Sequence, residues 1–152
     1  MLLGLAGCQA SPPPSTSAST VSSEASIVGT WGLESVTLAG FEFELDPRIT
    51  ADPHPGFATW VTFDATGRLE GRLPCNSISG EYQAFGRTIR SRTVVTAGSC
   101  VFEGGGHPEL LMKTEEPIRN VLWSSSFEAF LDDTGSTLRI QAEDTLLTFR
   151  RI

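Results

Sequence analysis

Ser126–Ile152 reads SFEAFLDDTGSTLRIQAEDTLLTFRRI. Ser126–Leu131, Thr137–Ala142 and Thr145–Ile152 are short runs with apolar residues set against polar ones, separated by Asp132-Asp133-Thr134-Gly135 and by Glu143-Asp144. Runs of this kind bounded by turn residues predict strands. Strands joined by such short turns pair antiparallel, because a parallel partner needs a long crossover.

Upstream of these hairpins the period changes. His107-Pro108-Glu109 predicts a helix start, with Pro108 at a first position that has no use for its missing N–H. Leu110, Leu111, Met112, Ile118, Val121 and Leu122 supply an apolar stripe. Pro117 predicts a break or kink near Glu116. Further upstream the two-residue period returns. Gly80–Phe85 and Thr88–Val95 read as strands, with Ile89 and Val95 as core positions. Phe57–Phe63 and Arg68–Leu73 flank the turn Asp64-Ala65-Thr66-Gly67, and Leu69, Gly71 and Leu73 share a face. The DATG turn has the same design as DDTG at Asp132–Gly135. Phe41–Leu45 reads as a short edge strand. Ile27–Val36 reads as a first strand with Ile27, Gly29, Trp31, Leu33 and Ser35 on one face. Asp46–Gly56, with Pro47, Pro53 and Pro55, is a loop, and Ala97–Gly106 is irregular. The expected fold is mainly β (α+β): an antiparallel meander forming a curved sheet or small barrel, with one helix before the C-terminal hairpins.

The N-terminal end has a different character. Residues 1–8 read MLLGLAG followed by Cys8, and Leu5-Ala6-Gly7-Cys8 looks like a bacterial lipobox. Small side chains precede the cut, and the thiol of Cys8 accepts the lipid. Seven apolar residues span only about 10 Å as a helix, too short to cross a bilayer. No basic segment precedes them, so the signal reads as truncated and the true start is expected upstream. Residues 9–26, QASPPPSTSASTVSSEAS, hold seven serines and three consecutive prolines. Such a stretch buries too little apolar surface to fold and reads as a tether spanning roughly 25 Å. The two lipid tails on one cysteine, commonly joined by a third, anchor stably where one chain does not. Residues 27–152 form the folded domain. The expected location is exported and membrane-anchored through Cys8, on the periplasmic or extracellular face.

Charge narrows the partners. The 152-residue chain carries a net charge of −7 and 11 cations, of which only Lys113 is lysine. An acidic balance argues against nucleic acid, whose phosphates need a cationic face, and against peripheral binding to anionic lipid.

Gly71-Arg72-Leu73-Pro74-Cys75-Asn76-Ser77-Ile78-Ser79-Gly80-Glu81-Tyr82 carries a resemblance to a known family. Downstream come Thr96-Ala97-Gly98-Ser99-Cys100, Pro108-Glu109, the helix, and closing hairpins that end Leu147-Thr148-Phe149-Arg150-Arg151. This order resembles the META domain (HslJ-like) family: a Gly-Cys-Asn before a Gly-x-Tyr strand, a Thr-x-x-Ala-Cys segment, and a Glu that opens the helix. Asn76, Gly80, Tyr82 and Glu109 fall on those positions, and Gly71 belongs to the same motif upstream of the Cys-Asn. Pro74 stands where the family usually has Gly, and Gly98-Ser99 replaces the more common Met-Ala. The resemblance implies a small β-rich module of bacterial envelopes or secreted proteins, linked to heat stress, motility and antibiotic tolerance. It brings no catalytic residues.

The residues also have a reading of their own. Cys75 and Cys100 are the cysteines inside the folded part, and in an exported protein two such cysteines usually pair. Closing that loop would stabilise by roughly 3 kcal/mol; the alternative is two buried thiols. Asn76 reads as a side chain that turns the chain by bonding nearby backbone, or else as a ligand-contacting amide. Gly80 serves either a close backbone approach or a positive φ. Tyr82 reads as a core aromatic with its hydroxyl at the edge rather than as a catalytic acid.

Other chemistry is thinly represented. His54, His107 and Glu109 do not make a metal set, which wants several converging ligands, and no cofactor is implied. Asp132-Asp133 looks like part of a calcium loop, but a hairpin turn needs no ion. Gly104-Gly105-Gly106 before the helix lacks the lysine of a P-loop. No Gly-x-Ser-x-Gly elbow occurs. Trp31, Trp60 and Trp123 are expected to fill the core; two of them exposed on one face would mark a binding surface. The expected function is a non-catalytic envelope lipoprotein that binds a protein or small molecule or supports the envelope under stress. The rival is a lipocalin-like carrier of a small apolar ligand, since Gly29-Thr30-Trp31 resembles the opening of that fold and a barrel mouth can hold such a ligand. An undetected hydrolase would need a carboxylate, a His and a hydroxyl in one cleft.

Overall fold

The computed structural model describes residues 26–45, 49, 58–98 and 108–152. Cys8, His54, Cys100, Gly104–Gly106 and His107, and with them the lipobox and all of the tether but Ser26, lie outside the described residues.

The described strands are β1 (Gly29–Leu38), β2 (Phe41–Glu42), β3 (Trp60–Phe63), β4 (Arg68–Arg72), β5 (Ser77–Phe85), β6 (Thr88–Val95), β7 (Ser126–Leu131), β8 (Thr137–Ala142) and β9 (Thr145–Arg151). Helix α1 (Pro108–Trp123) stands between β6 and β7. Every neighbouring pair is antiparallel, and β1 returns to pair with β9 from Trp31↔Arg151 to Leu38↔Thr145. The expected meander is therefore a closed barrel of eight strands, β1-β3-β4-β5-β6-β7-β8-β9, with the two-residue β2 alongside the end of β1. Closure removes the open sheet edges that would otherwise invite pairing with other chains. The edge strand expected over Phe41–Leu45 is confined to Phe41–Glu42.

β1 departs from simple alternation. Leu33 pairs with Phe149 and Ser35 with Thr148, so Glu34 is an extra residue in the strand, a β-bulge. Trp31 and Leu33 point inward, as the two-residue period predicts. After the bulge it is Val36, fully buried, that points inward, and not Ser35. The bulge also aims Glu34 outward, where its carboxylate accepts a charge-assisted hydrogen bond from Arg150.

The interior is filled by side chains. Trp31, Phe63, Phe149, Leu69, Leu138 and Ile140 are fully buried and belong to one continuous cluster. The Trp31 indole N–H donates to the Ile27 carbonyl at 2.8 Å, and the Arg151 guanidinium lies 4.3 Å from the ring centre. Two strand glycines let backbones meet. A Cβ on Gly71 would sit 2.7 Å from the Trp60 carbonyl oxygen, and one on Gly80 would sit 2.2 Å from the Arg92 carbonyl oxygen. Neither has a positive φ, so close approach is the reason for Gly80.

The two matching turns are built alike. Asp64 Oδ1 accepts from the Thr66 and Arg68 N–H groups at 2.8 and 2.9 Å, and Asp132 Oδ1 from those of Ser136 and Thr137 at 2.8 and 3.0 Å. The Arg68 N–H lowers the Asp64 carboxyl below its ordinary pKa, and the Thr137 N–H does the same at Asp132. Gly67 and Gly135 take the positive φ these turns need. Asp132 thus acts through backbone donors and hydroxyls.

Helix α1 lies across one mouth. It packs against β6 and β1, which stand opposite each other in the ring, and against β8 and β9. Of the break or kink expected near Glu116, the break does not occur: the helix runs through Pro117 without a gap. Pro117 forfeits only the bond to the Lys113 carbonyl, while Leu111, Ile118, Val121 and Leu122 stay buried on either side of it. Leu110 and Met112, assigned to the stripe, are exposed; Thr114 and Glu115 take the inward places instead. At the C-terminal end the Leu122 carbonyl accepts from Thr93 Oγ1 at 3.1 Å and the Ser124 carbonyl from Ser91 Oγ at 2.8 Å. These bonds satisfy acceptors that a helix end leaves open and fix α1 to β6.

Candidate functional site

Two features meet at this mouth: a buried polar clasp and an open cleft. The clasp begins at the tight connection between β4 and β5, where the Leu73 N–H donates to the Asn76 carbonyl at 2.7 Å. This connection leaves the N–H groups of Cys75 and Asn76 pointing toward α1. Glu115, 3% exposed, meets them: its Oε2 accepts from Cys75 N–H at 2.6 Å and from Asn76 N–H at 3.0 Å, and its Oε1 accepts from Asn76 Nδ2. Asn76 Oδ1 in turn accepts from the Gly98 N–H at 2.6 Å and from Thr96 Oγ1 at 3.1 Å. Thr96 Oγ1 accepts from the Ser77 N–H at 3.0 Å.

One asparagine and one glutamate therefore tie the β4–β5 connection, the segment after β6 and the helix together. A buried carboxylate surrounded by three N–H donors is satisfied in its acceptor-only form. Asn76 bonds backbone, as expected, but reaches far beyond its neighbours in sequence. Its Oδ1 accepts two bonds, and its Nδ2 donates one, to Glu115.

The other motif residues fall around this clasp. Tyr82 is half-buried, with its ring edge-on to Phe63 at 5.1 Å and its hydroxyl donating to the Asp64 carbonyl at 2.7 Å. Burial, and then the charge of Asp64, push the Tyr82 hydroxyl pKa up, which suits a structural pin. Glu109 is exposed in the first turn of α1. Cys75 is half-buried against the core and engaged, while Cys8 and Cys100 lie outside the described residues. Glu115 was not among the residues singled out from sequence. Its signal was its place, four residues after Leu111 and three before Ile118, on the buried stripe of the helix.

Beside the clasp, α1 leaves part of the mouth uncovered. The opening is a cleft of about 1110 Å³ between the helix face Lys113, Pro117 and Asn120, the end of β1, the start of β7 and the β8–β9 turn. Leu38, Phe43, Trp123 and Phe127 give it an apolar lining. Trp123 is 59% exposed, against the expectation that all three tryptophans fill the core; Trp31 is buried and Trp60 is half-buried on the outer face of β3. Trp123 follows the last buried helix positions, Val121 and Leu122, and so turns outward. Among the described residues, no three His, Cys, Asp or Glu side chains gather as metal ligands.

A family model described as META domain matches residues 27–151. The chain belongs to the META domain family. In this META domain the Cys-Asn of the motif is where the helix carboxylate docks, and Gly71 and Gly80 are where neighbouring backbones touch. Pro74, in place of the usual Gly, is buried at the clasp. No curated protein matches the chain. Among solved structures it is similar to a lipocalin-like protein from Bacteroides uniformis at 17% identity, covering 82% of this chain and 97% of that one, with a TM-score of 0.48. It is also similar to a DUF4847 family protein from Bacteroides vulgatus at 16% identity, covering 80% and 91%, again with a TM-score of 0.48. Likeness at that level carries no functional weight.

Proposed function

We propose that this META domain is a non-catalytic binding module of the cell envelope, tethered by residues 9–26 to a lipid on Cys8, and that it takes its ligand at the uncovered mouth of the barrel. One observation carries the reading: the barrel is filled with side chains, yet an open cleft of about 1110 Å³ with an exposed tryptophan lies at its mouth. Binding sites are concave, largely apolar and edged by a few polar groups, and this cleft is slightly larger than the roughly 300–1,000 Å³ usual for drug-sized ligands. The same cleft favours a second reading, a lipocalin-like carrier of a small apolar ligand, with the cargo held at the mouth. In either case the setting is the stressed envelope that the family resemblance implies.

Nile red, a neutral apolar dye whose emission rises out of water, tests the site. Saturable emission is expected with the wild-type domain, and binding about tenfold weaker with Trp123→Ala, since a stacked aromatic contributes on the order of 1 kcal/mol or more. An undiminished signal in Trp123→Ala, with its melting temperature unchanged, would place the ligand elsewhere.

The anchor and the cysteine pair are part of the proposal. Among the described residues no helix is long and apolar enough to cross a membrane, and Cys75 is engaged. We take Cys100 as its disulfide partner. Mass spectrometry of the native protein extracted from membranes, before and after reduction, is expected to yield a lipid-modified Cys8 peptide and a Cys75–Cys100 cross-linked peptide. Free thiols at Cys75 and Cys100 would refute the pairing, and an unmodified Cys8 in a soluble fraction would refute the anchor.

A further inference from the structure

The mouth cleft has a charge pattern that selects among apolar ligands. Four carboxylates line it, on Glu116, Glu128, Glu143 and Asp144, against one ammonium, on Lys113, for a local balance of −3. Among the described residues none of the four is ion-paired; the pairs present are Arg68–Glu70 and Arg150–Glu34, both elsewhere. The carboxylates belong to three separate elements, α1, β7 and the β8–β9 turn, and converge on one apolar surface.

The rim is also held in a strained shape. Ala39 and Glu143 are the non-glycine residues with positive φ among the described residues, at 50° and 51°. Both sit in turns at this rim, and the Ala39 N–H donates to the Asp144 carbonyl at 2.9 Å, locking the two turns together. The Glu143 position would suit Gly or Asn. It carries a carboxylate at the cleft instead, and strained backbone tends to gather at binding sites. Trp123 adds an exposed aromatic face, the surface that best receives an organic cation.

From this convergence we propose that the mouth cleft binds an amphiphilic organic cation, a molecule with an aliphatic or aromatic body and an ammonium-type head. The body lies on Leu38, Phe43 and Phe127. The head sits against Trp123 and among Glu116, Glu128, Glu143 and Asp144, where both the ring face and the carboxylates attract it. An anionic amphiphile meets the same apolar floor and a repulsive rim. The inference rests on the mouth being the binding site, and it adds the sign of the ligand's charge.

Calorimetric titration of the whole chain with octyltrimethylammonium, octyl sulfate and octyl glucoside, each below its micelle-forming concentration, separates the two ideas. The cation is expected to bind at least about tenfold more tightly than the sulfate, equivalent to about 1.4 kcal/mol. Glu128→Gln/Glu143→Gln is expected to weaken the cation about tenfold and to leave the glucoside unchanged. Glu81→Gln/Asp133→Asn removes the same charge from exposed positions outside the cleft and is expected to change neither; circular dichroism confirms that both variants fold. Equal affinity for the three heads, or equal loss in the two variants, overturns the charge inference while leaving binding at the mouth intact. No binding of any probe, together with failure of the Nile red test, overturns both.

Discussion

Replacing Glu115 with alanine is expected to lower the unfolding free energy by about 3–5 kcal/mol. The change removes the acceptor for the Cys75 N–H, the Asn76 N–H and Asn76 Nδ2 together. With the site 3% exposed, water cannot easily replace the carboxylate, and each buried donor left unmet costs roughly 1–3 kcal/mol. Glu115→Gln keeps the volume but turns an amide NH2 toward N–H donors, so a loss of about 2–3 kcal/mol is expected. Asn76→Ala breaks the same network from the other side. The double variant should therefore lose clearly less than the sum of the singles. Urea unfolding of Glu115→Ala, Asn76→Ala and the double variant measures this directly. Additive losses, or a Glu115→Ala loss under about 1 kcal/mol, would mean that the clasp does not hold the helix to the barrel.

The second large effect is expected at Gly80. An alanine Cβ there would lie 2.2 Å from the Arg92 carbonyl oxygen, 2.7 Å from Thr93 Cα and 2.9 Å from the Arg92 carbonyl carbon. All three are backbone atoms of β6, so no side chain can swing away. Relief requires β5 and β6 to separate along the ladder that pairs Gly80 with Thr93. Overpacking against movable neighbours costs about 1–3 kcal/mol. Here the cost should reach or exceed the top of that range, and Gly80→Ala is expected to melt well below wild type or to accumulate unfolded. Thermal unfolding followed by circular dichroism gives the readout. A melting temperature within a few degrees of wild type would show that the strands are less closely apposed.

These two residues also show how far the sequence reaches. Gly80 stood out as a glycine within a strand pattern, although alternation alone left open whether it served a turn or a close contact; the Arg92 carbonyl decides it. The β7–β8–β9 hairpins were legible because their turns are short and their alternation is unbroken. β1 was half legible: Trp31 and Leu33 follow the two-residue period, but a bulge at Glu34 leaves no mark in a pattern of apolar and polar residues, so the inward place of Val36 was invisible. Glu115 was missed because the helix stripe was read from apolar residues alone, and a buried carboxylate looks polar until its donors are known. Those donors lie some 40 residues upstream. The mouth cleft was out of reach for the same reason. It joins Leu38, Trp123 and Asp144, which barrel closure between β1 and β9 brings together and no local pattern records.

The barrel interior is filled, and the ligand is proposed to bind at its mouth. The three tryptophans make this directly measurable, since Trp31 lies inside, Trp60 on the outer face of β3 and Trp123 at the cleft. The measurement is the set of indole N–H resonances of the nitrogen-15-labelled domain during titration with octyltrimethylammonium. The Trp123 resonance is expected to shift progressively and saturate, while Trp31, bonded to the Ile27 carbonyl, and Trp60 stay in place. A shift of Trp31 with Trp123 unmoved would put the ligand inside the barrel and contradict it.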